Sequence, residues 1–436
     1  MPIDSKRCIL ALALVLAASA GVATEQAPSN IDDPYGVLQA MQAGDSARLR
    51  VLAATGNAGQ RAMATSALYR SQGDLVRSSQ ASGDCVRKAR EASSNDIVLI
   101  CGLIDAGNDL AMGRPGKWAY KVAFLRQQLY PAFRKTQGPD FSIAPLEYVP
   151  RPDDFAHLAD AAYALASGGA TLALAPFAKG PLAPMSTALA NGVEVRSGRT
   201  SFQAVFDTGS FMTLLNTPTA QALKATVQPG WMRAGGGSAG HLGVATAADM
   251  QIGPLQTKNV SFAVSTSPVL DIIGMDLIQQ LGAIRMTATG VRVLPANGVE
   301  LARCTTPMRV ASSLSPTGIR LLLPIKVDGK NELAFLDTGS DEYLTRFGGA
   351  QPAAADDMGE GRKEVTMKVG GGVTASERRS AKAGVDLGAG VHERSVRVEK
   401  GAADAPFYVV GMPATADADL LIDFRQHHLC VLEASR

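Results

Sequence analysis

The sequence predicts an α + β multi-domain protein in which a helical N-terminal domain is followed by a bilobal all-β unit. Three observations predict this fold. Between residues 30 and 135, apolar residues recur at spacings of three and four, as on the buried face of a helix. From residue 181 onwards, short runs of alternating polarity are separated by turn sequences such as Asn297-Gly298, as in antiparallel strands. The β part contains the same motifs twice, which predicts two lobes of similar structure.

The bulk composition is that of a globular protein with little net charge. Of the 436 residues, 46% are hydrophobic and 19% are charged, and the formal net charge is +2. This length and composition suggest several domains with their own cores. No cluster of Lys and Arg interleaved with aromatic residues occurs, so we expect no nucleic-acid partner. No stretch after the N-terminal residues is apolar enough to predict a membrane span.

The first residues are typical of a cleaved export signal. Lys6 and Arg7 give a basic start, an apolar run follows, and small residues then offer cleavage sites after Ala20 or Ala23. We therefore predict that residues 1–23 are a signal peptide and that the protein is periplasmic or secreted.

Export to an oxidising compartment makes disulfides the expected state of the cysteines. Removal of Cys8 with the signal peptide leaves Cys85, Cys101, Cys304 and Cys430, which can pair in three ways. We predict the pairs Cys85–Cys101, which are near in sequence, and Cys304–Cys430, which would join the beginning of the last lobe to its end. The alternative is four buried thiols. The scattered positions do not have the spacing of a zinc site.

The helical domain, residues 30–135, contains a hint of a repeat. Gly73 and Gly107 lie 34 residues apart (107 minus 73), which is the period of a tetratricopeptide array. The Trp and Tyr anchors of that repeat are missing, so an irregular helical domain remains an alternative. A protein partner of this domain is possible under either reading. Residues 136–180, rich in Pro and Ala, are predicted to be a linker with one capped helix over 153–169.

The β region contains three unlike motifs twice, in the same order and with similar spacing. The motifs are Asp-Thr-Gly-Ser at 207–210 and 337–340, a triple glycine at 235–237 and 370–372, and an apolar pair with a glycine at 272–274 and 409–411. One Asp-Thr-Gly alone is usually a turn. The ordered recurrence of all three motifs indicates a duplicated module.

This half of the chain resembles an aspartic protease of the pepsin and retroviral-protease type. It is most similar to the bacterial retropepsin-like proteases that carry the module twice in one chain. The resemblance covers roughly residues 181–436. It implies two lobes, residues 181–300 and 301–436, related by a pseudo-twofold axis, with one catalytic aspartate in each.

The resemblance also implies a role for each repeated motif. The catalytic residues would be Asp207 and Asp337, supported in their loops by Thr208, Gly209, Ser210, Thr338, Gly339 and Ser340. The glycine-rich segments would form flaps that bind substrate, with Gly235, Gly236 and Gly237 in one and Gly370, Gly371 and Gly372 in the other. The segments that thread behind the catalytic loops would contain Ile273, Gly274, Val410 and Gly411.

Peptide hydrolysis explains why two aspartates are needed. One group must take a proton from water while another supplies a proton to the substrate. Two carboxyls about 3 Å apart cannot both ionise, so they share one proton. We therefore predict an endopeptidase in which Asp207 and Asp337 activate a water, with no metal and no cofactor. Because the pair titrates as a unit, the sequence leaves open which aspartate is ionised.

The neighbours of the aspartates have expected roles as well. The glycines allow a sharp turn that brings backbone amides to each carboxylate. The resemblance implies that Thr208 and Thr338 hydrogen-bond across the lobe junction. Ser210 and Ser340 are expected to donate to an aspartate oxygen. The flaps would close over a polypeptide substrate in extended conformation.

One departure from the family pattern and two rival readings remain. Pro413 follows the second apolar-Gly segment, so the helix expected there should be shortened or altered. A non-catalytic periplasmic peptide-binding or scaffold protein could retain the protease fold together with the helical domain. Alternatively, each lobe could pair with its twin in a second chain.

Overall fold

The structure is a computed structural model. It describes residues 34–137, 158–166, 169–176, 191–228, 242–265, 270–314, 319–348, 362–368, 372–399 and 407–434. The predicted signal peptide lies outside the described residues. The chain divides into two compact units, one of residues 1–159 with 310–319 and one of residues 160–309 with 320–436.

The first unit is helical, as the apolar spacing predicts. Its α-helices are α1 Pro34–Gln42, α2 Ser46–Thr55, α3 Ala58–Ser71, α4 Leu75–Glu91, α5 Asn95–Ala111, α6 Pro115–Phe124 and α7 Tyr130–Gln137, and a π-helical turn, Leu125–Leu129, joins the last two. Asp45, Asn57 and Asp74 accept backbone hydrogen bonds at the N-termini of α2, α3 and α4. These caps satisfy amides that a helix start leaves unpaired, so they fix where each helix begins.

The first predicted disulfide is present in this unit. Cys85 on α4 and Cys101 on α5 are bonded, so the two helices are covalently joined. The proposed repeat of Gly73 and Gly107 is not a structural equivalence. Gly73 lies in a turn at φ 80°, whereas Gly107 is inside α5. Gly107 is instead placed against Arg70, because a Cβ there would lie 3.2 Å from the guanidinium Nη1.

Arg70 is a fully buried cation at the centre of the helical unit. Its Nη1 donates to the Ile104 carbonyl and to Asn108 Oδ1, and its Nε donates to Ser312 Oγ. Burial lowers the pKa of Arg70 to about 10. Ser312 belongs to the segment 310–319, which clusters with the helices although residues 160–309 separate it from them in the chain. Arg70 therefore joins the helices to a segment that is distant in sequence.

We expect Arg70→Ala to destabilise the protein by about 3 kcal/mol, because it leaves several buried acceptors without a donor. The measurement is urea denaturation followed by circular dichroism. The matched control is Arg61→Ala on the same helix, where the side chain is exposed and the expected loss is roughly 0.5 kcal/mol. Equal losses in the two variants would contradict this role of Arg70.

The second unit is built of strands, as the alternating pattern predicts. The strands of the chain are β1 Ala162–Leu165, β2 Thr171–Ala173, β3 Ala175–Pro176, β4 Asn191–Ser197, β5 Thr200–Phe206, β6 Leu214–Asn216, β7 Thr226–Gln228, β8 Leu242–Ile252, β9 Leu255–Ser265, β10 Ile272–Ile273, β11 Ala283–Thr287, β12 Gly290–Val293, β13 Arg309–Ser312, β14 Ile319–Val327, β15 Lys330–Asp337, β16 Leu344–Phe347, β17 Arg362–Lys368, β18 Gly372–Asp386, β19 Val391–Glu399, β20 Phe407–Gly411, β21 Ala418–Asp423 and β22 His428–Glu433. β13 lies mostly within residues 310–319, which cluster with the helices.

Short helices interrupt the strands of this unit. They are the α-helices α8 Thr217–Ala222 and α9 Met275–Ile278 and the 3₁₀ turns Gln279–Leu281, Leu301–Arg303 and Met412–Ala416. None of the helices in the described residues is both long and apolar enough to cross a membrane.

Two of the sheets have the same internal strand order. One contains the sequence β9-β6-β10-β5-β4-β8, and the other contains β19-β16-β20-β15-β14-β18. Each strand of the first series corresponds to the strand of the second series whose number is higher by ten, for example β5 to β15. The pairing sense also agrees, since β5 is parallel to β10 and β15 is parallel to β20. The repeated motifs therefore lie at matching places in two sheets of matching connectivity.

A third sheet combines strands from both predicted lobes. Its order is β2-β12-β11-β21-β22. The second predicted disulfide, Cys304–Cys430, is present beside this sheet. Both cysteines are buried in a cluster with Ala283, Leu294, Leu301 and Leu421. The bond thus joins the segment that follows the 3₁₀ turn Leu301–Arg303 to the strand β22.

The prediction that residues 136–180 are a linker with a helix is wrong for their described part. Residues 162–165 form β1, which pairs with β9, and residues 171–173 form β2, which pairs with β12. Alanine favours a helix in isolation, but strand pairing with the β unit overrides that local preference here. The β unit therefore begins earlier in the chain than residue 181.

Candidate active site

Each Asp-Thr-Gly-Ser loop follows directly from a strand at the centre of its sheet. Phe206, at the end of β5, and Leu336, one residue before the end of β15, are almost fully buried. The parallel neighbours β10 and β20 flank these strand ends, and the Asp207 amide donates to the Ile273 carbonyl at 3.0 Å. A rigid, buried strand with partners on both sides holds the following aspartate in a defined position.

The turn after each aspartate directs backbone amides at its carboxylate. Asp207 Oδ1 accepts from the amides of Gly209 at 2.7 Å and Ser210 at 3.1 Å. Asp337 Oδ1 accepts from the Gly339 amide at 3.1 Å. This is the function expected of the glycines. Such amide donors favour the ionised form of a carboxyl.

The two threonines hold the loops together through four buried hydrogen bonds. Thr208 Oγ1 donates to the Leu336 carbonyl at 2.9 Å and accepts from the Thr338 amide at 3.1 Å. Thr338 Oγ1 donates to the Phe206 carbonyl at 2.6 Å and accepts from the Thr208 amide at 2.9 Å. Each threonine hydroxyl thus donates one hydrogen bond to the opposite loop and accepts one from it. The four bonds together fix the separation of the two loops.

The two carboxyls face each other closely enough to hydrogen-bond. A Cβ added at Gly339 would lie 2.6 Å from Asp207 Cγ, and one added at Gly209 would overlap the carboxyl of Asp337. Only glycine leaves room for the opposite carboxylate at these positions. Burial, followed by the charge of Asp337, raises the pKa of Asp207 well above its usual range. The pair therefore holds a proton at pH values where a lone aspartate would have lost it.

The apolar-Gly segments lie behind the loops, as the resemblance implies. The Met275 amide donates to the Ser210 carbonyl at 2.8 Å, and the Met412 amide donates to the Ser340 carbonyl at 3.1 Å. A Cβ at Gly274 would be 2.5 Å from the carbonyl carbon of Met212. Gly411, which pairs with Asp337 in the parallel ladder formed by β15 and β20, is equally close to the backbone of the second loop.

The helices behind the two loops differ, as Pro413 predicts. After Gly274 the chain forms the α-helical turn α9, whereas after Gly411 it forms a 3₁₀ turn that begins with Met412 and Pro413. Thr415 caps this turn by donating to the Met412 carbonyl at 2.8 Å. The second loop is thus supported without the α-helix present behind the first.

Asp276 is a supporting residue that the sequence analysis missed. Its Oδ1 accepts from both the amide and the hydroxyl of Thr213, each at 2.9 Å, so it anchors the chain that leaves the first loop. Burial raises its pKa to about 6, although these hydrogen bonds oppose the shift. The sequence signal that could have identified Asp276 is an acidic residue directly after the apolar-Gly-Met segment. The second copy has Pro413 at this place.

The expectation for the Ser210 hydroxyl is wrong. It donates to the Met212 carbonyl at 2.9 Å, because the backbone amide of Ser210 already occupies the Asp207 oxygen. Ser340 Oγ accepts from the Glu342 amide at 3.4 Å. The predicted flap glycines 235–237, 370 and 371 lie outside the described residues, and Gly372 begins β18. In the part of the chain that the structure describes, no group of three or more His, Cys, Asp or Glu residues is placed to hold a metal ion.

Comparison with known proteins agrees with this geometry. Residues 193–280, which contain Asp207 and the segment behind it, match the family model described as "gag-polyprotein putative aspartyl protease". The resemblance to retropepsin-like aspartic proteases is confirmed. No curated protein matches the chain.

Among solved structures, one that matches is described as "Crystal structure of edgp". It is 10% identical, covers 62% of this chain and 96% of its own, and has a TM-score of 0.36.

Proposed function

We propose that the protein is a secreted or periplasmic aspartic endopeptidase in which a water between Asp207 and Asp337 hydrolyses a polypeptide bound in extended form. One observation carries the proposal: two Asp-Thr-Gly-Ser loops of a single chain meet with their carboxyls in hydrogen-bond contact. The two disulfides are compatible with the exported location.

The arrangement supports direct attack by water rather than a covalent intermediate. A pair that keeps one proton contains a base and an acid at once, so it can take a proton from water and polarise the substrate carbonyl. The matching strand orders favour two lobes related by a pseudo-twofold axis, with the pair between them. Both aspartates belong to one chain, which favours a site complete in the monomer over pairing with a second copy.

The test is digestion of a peptide library by the purified mature protein from acid to neutral pH. We expect cleavage at internal peptide bonds, and we expect EDTA to leave the rate unchanged because the two carboxyls supply the chemistry. A peptide that carries a tetrahedral hydroxyl in place of the scissile carbonyl should inhibit, since it resembles the transition state.

Absence of cleavage at every pH, together with tight binding of intact peptides, would instead favour the non-catalytic peptide-binding reading. Loss of cleavage in EDTA that a divalent metal restores would contradict the metal-free mechanism.

A further inference from the structure

Asp337 has a cation, Arg320, in its surroundings. The ladder between β14 and β15 pairs Leu322 with Phe335 at its last registered position. Continued by two residues within the same strands, this register places Arg320 opposite Asp337. Side chains two residues apart on a strand share a face, so Arg320, Phe335 and Asp337 lie on one side of the sheet. The Arg320 guanidinium carbon lies 5.1 Å above the Phe335 ring.

Arg320 is a partly buried cation whose charge partner is the catalytic pair. The ring of Phe335, which packs edge-on against Phe407, occupies one face of the guanidinium. Burial lowers the pKa of Arg320, and the charge of Asp337 opposes that shift. Among the described residues, no other carboxylate interacts with this guanidinium. A cation close to a carboxyl favours the charged form of that carboxyl.

Two carboxylates that follow the catalytic loops or the segments behind them are engaged by other groups. Glu342, just after the second loop, is paired with Arg397 on β19 at 3.4 Å. Asp276, behind the first loop, is held by Thr213. Arg320 thus interacts with Asp337, and Asp337 with Asp207. In the sequence, the first copy has Ala190 at the same distance before Asp207 as Arg320 has before Asp337, so the cation is not duplicated.

One feature opposes the effect of Arg320. Asp207 accepts two backbone amides, whereas Asp337 Oδ1 accepts one. Burial opposes the effect of the additional amide, because it disfavours the charged form of the more buried carboxyl. Asp207 is only 8% exposed, whereas Asp337 is partly exposed. The charge of Arg320 acts against this additional hydrogen bond of Asp207, and the greater exposure of Asp337 acts in the same direction as Arg320.

We propose that Arg320 is a positioning residue that makes Asp337 the ionised member of the catalytic pair and leaves the shared proton on Asp207. The consequence for catalysis rests on the proposed function, but the protonation pattern itself does not. Arg320 would act through Asp337 and would not touch the reacting atoms.

The assignment gives each aspartate a defined part in hydrolysis. The Asp337 carboxylate takes a proton from water while the water oxygen bonds to the carbonyl carbon. The carbonyl π electrons move to oxygen, which takes the proton of Asp207. When the tetrahedral intermediate collapses, protonated Asp337 gives its proton to the leaving nitrogen and the C–N bond breaks. Asp207 then recovers a proton from one hydroxyl, which becomes the carbonyl of the new acid.

The kinetic test compares Arg320→Met, which removes the charge, with Arg320→Lys, which keeps it. We expect the pH profile of kcat/KM in Arg320→Met to move to higher pH by about one unit, because the pair then ionises less readily. Arg320→Lys should stay near the wild-type profile. Arg303→Gln, which removes an exposed cation elsewhere in this unit, serves as the charge-matched control and should not shift the profile.

A second measurement needs no turnover. Carbon-13 NMR of protein labelled at the aspartate carboxyls, assigned with Asp207→Asn and Asp337→Asn, reports which carboxyl ionises first. We expect Asp337 in the wild type and a delayed ionisation in Arg320→Met. The proposal would be overturned if Arg320→Met lowered kcat/KM equally at every pH without moving the pH profile. It would also be overturned if the NMR titration showed that Asp207 ionises before Asp337. An inactive protein that shows the expected NMR titration would refute only the proposed protease activity.

Discussion

Replacement of either Asp207 or Asp337 by asparagine should lower kcat/KM for peptide cleavage by about 10³-fold or more. Each variant keeps a side chain of the same shape and can keep the hydrogen bond between the two groups. Neither keeps a pair that holds a base and an acid at once. The measurement is cleavage of the best peptide from the library digest, over the full active pH range. Near-wild-type cleavage by either variant would contradict a shared-proton pair.

The same substitution at Asp207 should make the protein more stable at neutral pH. Burial and the charge of Asp337 raise the pKa of Asp207 in the folded state. A group with a raised folded pKa contributes stability that is fully present below the ordinary pKa, near 4, and is lost as pH rises through the folded value. Asn bears no charge at any pH. The Tm of Asp207→Asn should therefore exceed that of the wild type at pH 7, and the difference should vanish near pH 3.

This stability difference also serves as the control for folding. An Asp207→Asn variant that is inactive and melts at or above the wild-type temperature has lost chemistry and not structure. A variant that melts well below the wild type at pH 7 would mean that the Asp207 carboxylate stabilises the fold, which contradicts the raised pKa.

Loss of the Thr338 hydroxyl should have the second largest effect. Thr338→Val removes one donor and one acceptor, and it leaves the buried Phe206 carbonyl and Thr208 amide without partners. We expect a loss of about 3 kcal/mol in the free energy of unfolding. We also expect roughly a 100-fold loss of kcat/KM, since even a small displacement of catalytic groups is costly. Urea denaturation and cleavage assays on the same preparation measure both.

Thr338→Ser is the matched variant because it keeps the hydroxyl and removes only a methyl group. It should lose about 1 kcal/mol of stability and retain most activity. If Val and Ser variants are equally impaired, the methyl contact and not the hydrogen bonding holds the loops, and the role assigned to Thr338 is incorrect.

Much of the site could be predicted from sequence because its residues are contiguous in two short loops. Asp207 to Ser210 and Asp337 to Ser340 recur with the same neighbours, and each motif has a local requirement: a turn that only glycine permits, with amides facing a carboxylate. The disulfides were predictable from the small number of cysteines in a chain expected to be exported. The linker prediction was wrong because residues 162–165 are strand only through pairing with β9.

The sequence by itself determined that this protein has a helical part, a β part and two acidic loops with the same motif, because these features depend on local periodicity and local turn chemistry. Only the tertiary structure decided what surrounds those loops. Arg70 donates a hydrogen bond to Ser312 and Asp276 accepts one from Thr213, although these residues are far apart in the chain. The charges of Arg320 and Asp337 interact through space. Burial and charge act through space, so the difference between two aspartates with the same sequence motif appears only once the chain is folded.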